Sequence, residues 1–329
     1  MSSVPSKETL PDGETVPLFT LENARGFSVQ VIPYGATIVS VRAPDRQGHF
    51  ANVVLGLPSL EDYLGEHPYL GAVAGRVAGR ISGARFSLDG KIYELAANDK
   101  SNHVHGGIAG FSRKLWAVEK AAPRSLRLSC ISPDGEEGYP GTVRVAVTYS
   151  VSDDNALVIE IEATTDSPTP FSLTQHSYFN LAGDGDTLGH ELQILADAYA
   201  PMDEDLGLVG RREPVAANDF RQPRRLGDAI PQLFRKHGDL YFLPPADPRA
   251  LRTAAILRDP GSGRALTVKT NEDCLQLYTG AFLEGRPHAG LCLECEGYPD
   301  ALNSPHLGDI TLRPGQTFCR TTIYAFSTF

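Results

Sequence analysis

Residues 142–162 read TVRVAVTYSVSDDNALVIEIE, and this stretch decides the fold. Apolar and polar side chains alternate from Thr142 to Tyr149 and again from Ala156 to Glu162. A period of two is the pattern of a half-buried β-strand, because successive side chains point to opposite faces. The polar segment 152–155 lies between the two runs and has the composition of a turn. The stretch therefore predicts two antiparallel strands joined by a tight turn.

The same alternation recurs along the rest of the chain. Residues 27–32 and 321–326 repeat the strand pattern. Residues 86–93 place the pair Asp89-Gly90 between two short apolar arms, which is the strongest local signal for a β-hairpin. We therefore expect consecutive strands to pair as antiparallel meanders.

Helical signals are sparse. One short helix is predicted at residues 59–64, where Ser59 can cap the first turn and Asp62 can return the hydrogen bond. The 32 glycines and 24 prolines fall mostly between the alternating runs, without an internal repeat or a linker. We predict an all-β protein with very little helix, built as one large antiparallel sandwich, and we expect residues 1–329 to form a single domain.

Composition excludes several classes of protein. The chain carries 40 acidic and 30 basic residues, a net charge of -10. The sequence has no Lys/Arg cluster long enough to follow a phosphate backbone, so nucleic acid is not an expected partner. It has no apolar run near the roughly 18 residues of a membrane span and no apolar secretory leader. We predict a cytoplasmic protein without a membrane partner, present as a monomer or a homodimer.

The cysteines agree with a reducing compartment. Five scattered cysteines are too few for a disulfide framework, and their odd number leaves at least one of them free. Cys292 and Cys295 form a C-x-x-C within a strand-like run, where residues three apart face opposite ways. We interpret both as buried small hydrophobic side chains rather than as half of a zinc site.

Candidates for acid and base catalysis come from three distant segments. His176 stands among polar neighbours in the stretch TQHSYFN, and His103 and His105 form an H-x-H followed by two glycines. Glu294 and Glu296 interrupt an apolar strand, where a carboxylate is costly to bury without a partner. An imidazole that gives a proton and a carboxylate that takes one suit a reaction that moves protons between two oxygens of one small molecule.

Residue spacing alone leaves alternatives open at these positions. On a strand, His103 and His105 would place both rings on one face, which is a common beginning of a metal site. Buried structural histidines and contacts with a substrate explain the same pair. Glu294 and Glu296 share a strand face, where they either line a cleft or mark an edge strand that resists aggregation.

Several motifs in order resemble the aldose 1-epimerase (galactose mutarotase) family, and the resemblance covers nearly the whole chain. The motifs are residues 71–81 (GAVAGRVAGRI), 102–107 (NHVHGG), 174–180 (TQHSYFN), 275–280 (LQLYTG) and 294–303 (ECEGYPDALN). The resemblance implies a large antiparallel β-supersandwich with an open cleft for a monosaccharide. It also implies interconversion of the α and β anomers of a free aldose such as galactose or glucose, without a cofactor or a metal.

The resemblance also implies roles for individual residues. Glu294 would be the general base that takes the proton of the anomeric hydroxyl, and His176 the general acid that protonates the ring oxygen. Sugar-contacting positions of the family match four residues, which are Arg80, His105, Asp239 and Gln276. Tyr178 would line the cleft, and Glu296 would lie beside the base. The absence of a P-loop or a dinucleotide fingerprint from the sequence agrees with chemistry that needs no cofactor.

The chain departs from the family pattern at several positions. Gly79 stands where asparagine is usual, Glu296 where glutamine is usual and Leu240 where a histidine commonly follows the aspartate, and Leu307-Gly308 replaces a common Phe-Pro. These changes leave the identity of the sugar open.

The sequence leaves two alternative functions open in addition to that of a mutarotase. A hexose-phosphate 1-epimerase would need a cationic pocket, to which Arg76, Arg80 and Arg264 could contribute. A noncatalytic sugar-binding module would need neither His176 nor Glu294.

Overall fold

The alternating runs form strands in the computed structural model, which describes residues 6–9, 15–247 and 249–329. The strands are, in chain order, β1 (Ser6–Thr9), β2 (Thr15–Glu22), β3 (Ser28–Ile32), β4 (Thr37–Pro44), β5 (Phe50–Asn52), β6 (Val73–Ala74), β7 (Arg80–Ile81), β8 (Arg85–Leu88), β9 (Lys91–Glu94), β10 (His103–Val104), β11 (Ala117–Ala122), β12 (Ser125–Ser132), β13 (Val143–Val151), β14 (Ala156–Thr165), β15 (Thr169–Pro170), β16 (Thr174–Gln175), β17 (Glu191–Ile194), β18 (Ala198–Ala200), β19 (Glu213–Pro214), β20 (Arg224–Arg225), β21 (Leu240–Phe242), β22 (Arg252–Asp259), β23 (Arg264–Thr270), β24 (Cys274–Tyr278), β25 (Cys292–Glu296), β26 (Thr311–Leu312) and β27 (Phe318–Thr328).

The largest sheet has nine strands in the order β11-β12-β13-β14-β27-β23-β22-β17-β20, and every neighbouring pair is antiparallel. Its centre is the hairpin of residues 142–162, with Val151 paired to Leu157 next to the turn. Asn155 closes the turn with a φ of 58°, a left-handed conformation that asparagine tolerates better than most residues. The predicted hairpin is confirmed.

The hydrophobic core lies between this sheet and two five-stranded sheets, ordered β1-β2-β3-β4-β5 and β19-β18-β21-β24-β25. Val147 from the large sheet, Val31 from the first small sheet and Leu293 from the second belong to one buried cluster. The Tyr324 hydroxyl group donates a hydrogen bond to the Leu293 carbonyl oxygen at 3.1 Å and joins β27 to β25. Burial of an apolar side chain such as Val147 or Leu293 contributes about 1.5–3 kcal/mol to the stability of the fold. The predicted all-β antiparallel sandwich is confirmed.

Local turn chemistry also follows the sequence. Asp89 and Gly90 have φ angles of 49° and 80° and join β8 to β9, as a type I′ hairpin turn requires. Helix α1 (Leu60–Leu64) begins after Ser59, whose side chain and that of Asp62 form the predicted capping box.

The remaining helical segments are short and were not predicted. They are α2 (Leu226–Ala229) and the 3₁₀ turns Ser82–Ala84, Phe111–Arg113, Glu136–Gly138 and Ile230–Gln232. Helix α2 has no side-chain cap, so its sequence gives no starting signal. In the described part of the chain, no helix is long and apolar enough to cross a membrane.

Candidate active site

A cavity of about 780 Å³ lies over one face of the sheet that contains β21, β24 and β25. It brings together residues from segments that are far apart in sequence. Its lining includes seven of the predicted site residues, which are Arg80, His105, His176, Tyr178, Gln276, Glu294 and Glu296.

Strand β25 supplies the carboxyl groups because its side chains alternate between core and cavity. Leu293 and Cys295 belong to the hydrophobic core, whereas Glu294 and Glu296 line the cavity. Glu294 pairs with Gln276 on β24, so these two side chains lie next to each other on the same face. Both glutamates are buried, with exposed fractions of 2% and 1%.

His176 lies directly after β16, and its ring is held from several sides. Its Nε2 is 3.5 Å from Glu294 Oε2, and its Nδ1 is 3.5 Å from the Cys292 sulfur. The ring stacks on Tyr178 and Tyr69 at centroid distances of 5.1 and 5.8 Å. The Nε2 to Oε2 distance exceeds that of a hydrogen bond, but such catalytic contacts often shorten when the substrate binds.

Burial controls the protonation of this pair. It lowers the pKa of His176 to about 4, because the imidazolium ion would lose its hydration. It raises the pKa of Glu294 to about 8, although the nearby Arg80 guanidinium opposes the rise. At neutral pH the sugar-free pair therefore holds one proton, which lies mainly on the carboxyl group.

His105 presents a hydrogen-bond donor to the cavity. Its Nδ1 accepts a hydrogen bond from the Gly79 backbone N–H at 3.2 Å, so the ring proton of the neutral imidazole is on Nε2. Burial lowers the pKa of His105 well below its usual value, and His176 and Arg80 lower it further. The ring packs edge-on against Tyr69 at 4.7 Å and His176 at 5.1 Å.

The expectation that His103 and His105 share one strand face was wrong. Strand β10 ends at Val104, and His105 has a φ of 52°, which turns its side chain away from the alternation. The His103 ring is buried against Tyr139, with its Nδ1 2.8 Å from the Ala96 carbonyl oxygen. His103 therefore packs in the interior and is not among the residues that line the cavity.

Among the residues that the structure describes, the nearest approach to a metal site is the trio His105, His176 and Glu294, whose potential ligand atoms lie within 4.8 Å of one another. Metal-bound histidines usually donate their second ring N–H to an acceptor. His105 Nδ1 instead accepts a hydrogen bond from the Gly79 N–H. A metal on Nε2 would move the ring proton to Nδ1, so that two N–H donors would face each other. This donor arrangement does not fit a resident metal ion.

Asp239 is the one predicted site residue that is not among those lining the cavity. The next residue, Leu240, pairs with Gln276 and lines the cavity, so alternation sends Asp239 to the opposite face. Its Oδ2 accepts a hydrogen bond from Asn218 Nδ2 at 3.0 Å. In this structure the Asp239 carboxyl group does not line the cavity, and its contact with the sugar stays a prediction from the family resemblance.

The cysteines fit the sequence interpretation. All five are free thiols, and Cys292 and Cys295 point to opposite faces of β25, towards His176 and towards the core. Burial raises the pKa of the Cys292 thiol well above its usual value, so it stays protonated, and its sulfur can accept a hydrogen bond from the Nδ1–H of His176.

Comparison with known proteins agrees with this geometry. The sequence profile of the aldose 1-epimerase family matches residues 17–325. The chain belongs to the aldose 1-epimerase family. It is 41% identical over 333 residues to galactose mutarotase from Sus scrofa, covering 97% of this chain and 96% of that protein. It is 35% identical to aldose 1-epimerase from Escherichia coli K12, covering 96% of each chain.

Solved structures of aldose 1-epimerase relatives share the fold over almost the whole chain. The aldose epimerase homologue from C. elegans superposes with a TM-score of 0.90 at 29% identity, covering 95% of this chain and 99% of that one. Galactose 1-epimerase from Lactobacillus acidophilus gives a TM-score of 0.85 at 32% identity, covering 98% of each chain.

Several cavity residues of this aldose 1-epimerase were not found from the sequence. Tyr69 packs against the imidazole rings of His105 and His176, and Asp99 accepts a hydrogen bond from Arg80 Nε at 2.6 Å. His237 is buried with a free Nε2, and burial together with Arg80 lowers its pKa to about 4. Tyr69 and His237 lie in irregular segments, where no periodicity predicts the direction of a side chain.

Proposed function

We infer that the protein is a mutarotase, an isomerase that interconverts the α and β anomers of a free aldose by general acid and base catalysis. The observation that carries this inference is the pairing of His176 Nε2 with Glu294 Oε2, 3.5 Å apart and buried in the wall of a sugar-sized cavity. Ring opening needs one oxygen deprotonated and another protonated at the same time. The two groups face the same space and together hold one proton.

The chemical step begins with transfer of the shared proton from Glu294 to His176. The resulting carboxylate takes the proton of the anomeric hydroxyl, and the imidazolium gives its proton to the ring oxygen. As the C1 to ring-oxygen bond breaks, its electron pair moves to the ring oxygen and the C1 carbonyl forms. Glu294 is then protonated and His176 is neutral, so the proton count of the pair is unchanged.

Ring closure reverses these roles on the other face of the carbonyl carbon. Rotation about the C1–C2 bond turns the aldehyde over inside the cavity. Glu294 returns its proton to the carbonyl oxygen while His176 takes the proton of the attacking hydroxyl, and the imidazolium then passes that proton back to Glu294. Both groups act once as acid and once as base, which suits a pair whose pKa values lie on either side of neutrality.

The surrounding side chains supply contacts that suit sugar hydroxyl groups. His105 offers its Nε2–H, and the Gln276 amide lies beside Glu294 on the neighbouring strand. Arg80 is held by Asp99 and can donate its remaining guanidinium N–H groups. The Tyr178 hydroxyl donates to the Pro68 carbonyl oxygen at 2.9 Å, so Tyr178 supports the His176 ring rather than binding the sugar through its hydroxyl group.

A phosphorylated sugar is a poorer fit than a free aldose. Arg76 and Arg264 are buried and donate to backbone carbonyl groups away from the cavity. Arg80 is paired with Asp99 and Lys100 with Asp205. The Glu294 and Glu296 carboxyl groups are also buried in the cavity wall, and they offer no positive charge to a phosphate.

Polarimetry on single-anomer sugars tests the function. The chelator-treated enzyme is expected to accelerate mutarotation of freshly dissolved galactose or glucose and to do little for their 6-phosphates. No acceleration with any free aldose would contradict the proposal and favour a noncatalytic sugar-binding module. Loss of activity in EDTA with rescue by a divalent ion would contradict the cofactor-free mechanism.

The cytoplasmic location and the monomer or homodimer stay predictions from the sequence. Size-exclusion chromatography with light scattering tests the second of them.

A further inference from the structure

Glu296 places an unpartnered carboxyl group in the cavity wall. Its side chain is 1% exposed, and within the described residues neither Oε1 nor Oε2 has a hydrogen-bond partner. Glu272, another buried glutamate, has Arg320 as an ion-pair partner at 3.4 Å and does not line the cavity. A buried polar group without a partner destabilises the fold, so it calls for a functional explanation.

The residue opposite Glu296 is Gly79, which has no side chain. Gly79 has a φ of 72°, and a Cβ atom there would lie 2.9 Å from Glu296 Oε1 and 2.4 Å from Pro299 Cγ. Any side chain at position 79 would displace the carboxyl group or the proline ring. The Gly79 N–H meanwhile binds His105, so this backbone segment is fixed. Gly79, Pro299 and Glu296 thus bound a small niche at the edge of the cavity, which we call the Glu296 niche.

The charges around the niche favour a neutral carboxylic acid. Glu296 faces Glu294 on its own strand, Cys274 directly across on β24, Glu272 and, from β7, Arg80. Burial raises the pKa of Glu296 well above its usual value, Glu294 and Glu272 raise it further, and Arg80 opposes them. A neutral carboxylic acid donates one hydrogen bond and accepts another, as a sugar hydroxyl group does.

The position along β25 defines which part of the sugar can reach the niche. Glu294 and Glu296 are two residues apart on one face, a Cα separation of about 6–7 Å. If Glu294 binds the anomeric hydroxyl, Glu296 reaches a different hydroxyl group of the same ring. We propose that the Glu296 niche binds one secondary hydroxyl group of the aldose and that this contact determines which aldose is turned over. This inference rests on the proposed mutarotase function.

Monodeoxy sugars test the contact. The parent is the aldose that the wild type turns over fastest, and each analogue lacks one of its secondary hydroxyl groups. The enzymes are the wild type, Glu296→Met, Glu296→Gln and, as a matched control for a buried carboxyl group outside the cavity, Glu272→Gln. Polarimetry gives kcat and KM separately for each sugar, and circular dichroism confirms that each variant is folded. Glu296→Ala replaces the methionine variant if that one does not fold.

The wild type is expected to lose about 10–100-fold in kcat/KM on one analogue, because the Glu296 carboxyl group then stays unpaired. Glu296→Met should abolish this preference for the parent sugar over that one analogue. The kcat/KM ratios of the parent to the other analogues should stay unchanged. Glu296→Gln, which still donates and accepts, and Glu272→Gln should keep it. Unchanged ratios in a folded Glu296→Met variant would overturn the niche. A wild type inactive on every aldose would instead contradict the mutarotase function itself.

Discussion

At the scale of single residues, the shared proton of Glu294 and His176 determines the pH dependence. The active pair holds one proton, which it loses as the pH rises through the Glu294 pKa of about 8. It gains a second proton as the pH falls through the His176 pKa of about 4. We therefore expect kcat/KM to fall on both sides of this range, with apparent pKa values that belong to the pair. A single limb near pH 6.5, typical of an exposed histidine, would contradict this assignment.

Asp239 and Gln276 give opposite predictions for sugar binding. Gln276→Ala should raise KM about 10-fold, the loss of roughly one hydrogen bond. Asp239→Asn should change KM less than about 3-fold, because a group outside the cavity loses no sugar contact. Burial raises the pKa of Asp239 to about 6, and the asparagine can still accept the Asn218 hydrogen bond. A KM that rises more for Asp239→Asn than for Gln276→Ala would place Asp239 at the sugar after all.

These two residues also show what the sequence could and could not predict about the site. Alternation correctly put Glu294 and Glu296 on one face, because both lie within a regular strand. It could not place Asp239, because β21 is three residues long and its register depends on the pairing of Leu240 with Gln276. The position of His105 depends on a left-handed residue that no periodicity predicts.

At the scale of elements, the hairpins and strands were predictable because their signals are local. The Asp89-Gly90 turn and the Ser59 capping box each need only four neighbouring residues. Helix α2 escaped prediction because it lacks a cap and is fixed by tertiary contacts, with Leu226 and Ala229 in the core. The order of strands in the large sheet is also beyond local signals, since β27 lies between β14 and β23.

Gly79 offers a test of the segment that bounds the niche, with Gly90 as its matched control. Both glycines have left-handed φ angles, 72° and 80°, but a Cβ at Gly90 would meet nothing within 4 Å. Each alanine substitution should cost about 1–2 kcal/mol for the conformation. Gly79→Ala should lose about 1–3 kcal/mol more, because its Cβ overlaps Pro299. Urea denaturation measures the free energy of unfolding of both variants. Equal losses would mean that the residues around the niche move to accept the new Cβ atom at no cost in stability.

At the scale of the whole molecule, the extent of the main hydrophobic cluster favours the single domain that the sequence predicts. The main cluster runs from Leu21 to Phe326 and includes residues of all three large sheets. We expect one cooperative unfolding transition, with coincident curves from far-ultraviolet circular dichroism and from the fluorescence of Trp116, the single tryptophan, which is buried in this cluster. Two separate transitions would contradict a single domain.

The most direct test of the acid and base assignment is the mutarotation rate of Glu294→Gln and His176→Asn beside the wild type. Each substitution should lower kcat by about 10²–10⁴-fold, the usual contribution of a proton-transferring side chain. Melting curves should stay close to that of the wild type, because each replacement is similar in size and uncharged. Near-normal kcat in either folded variant would contradict the role given to that residue, and near-normal kcat in both would contradict the mechanism.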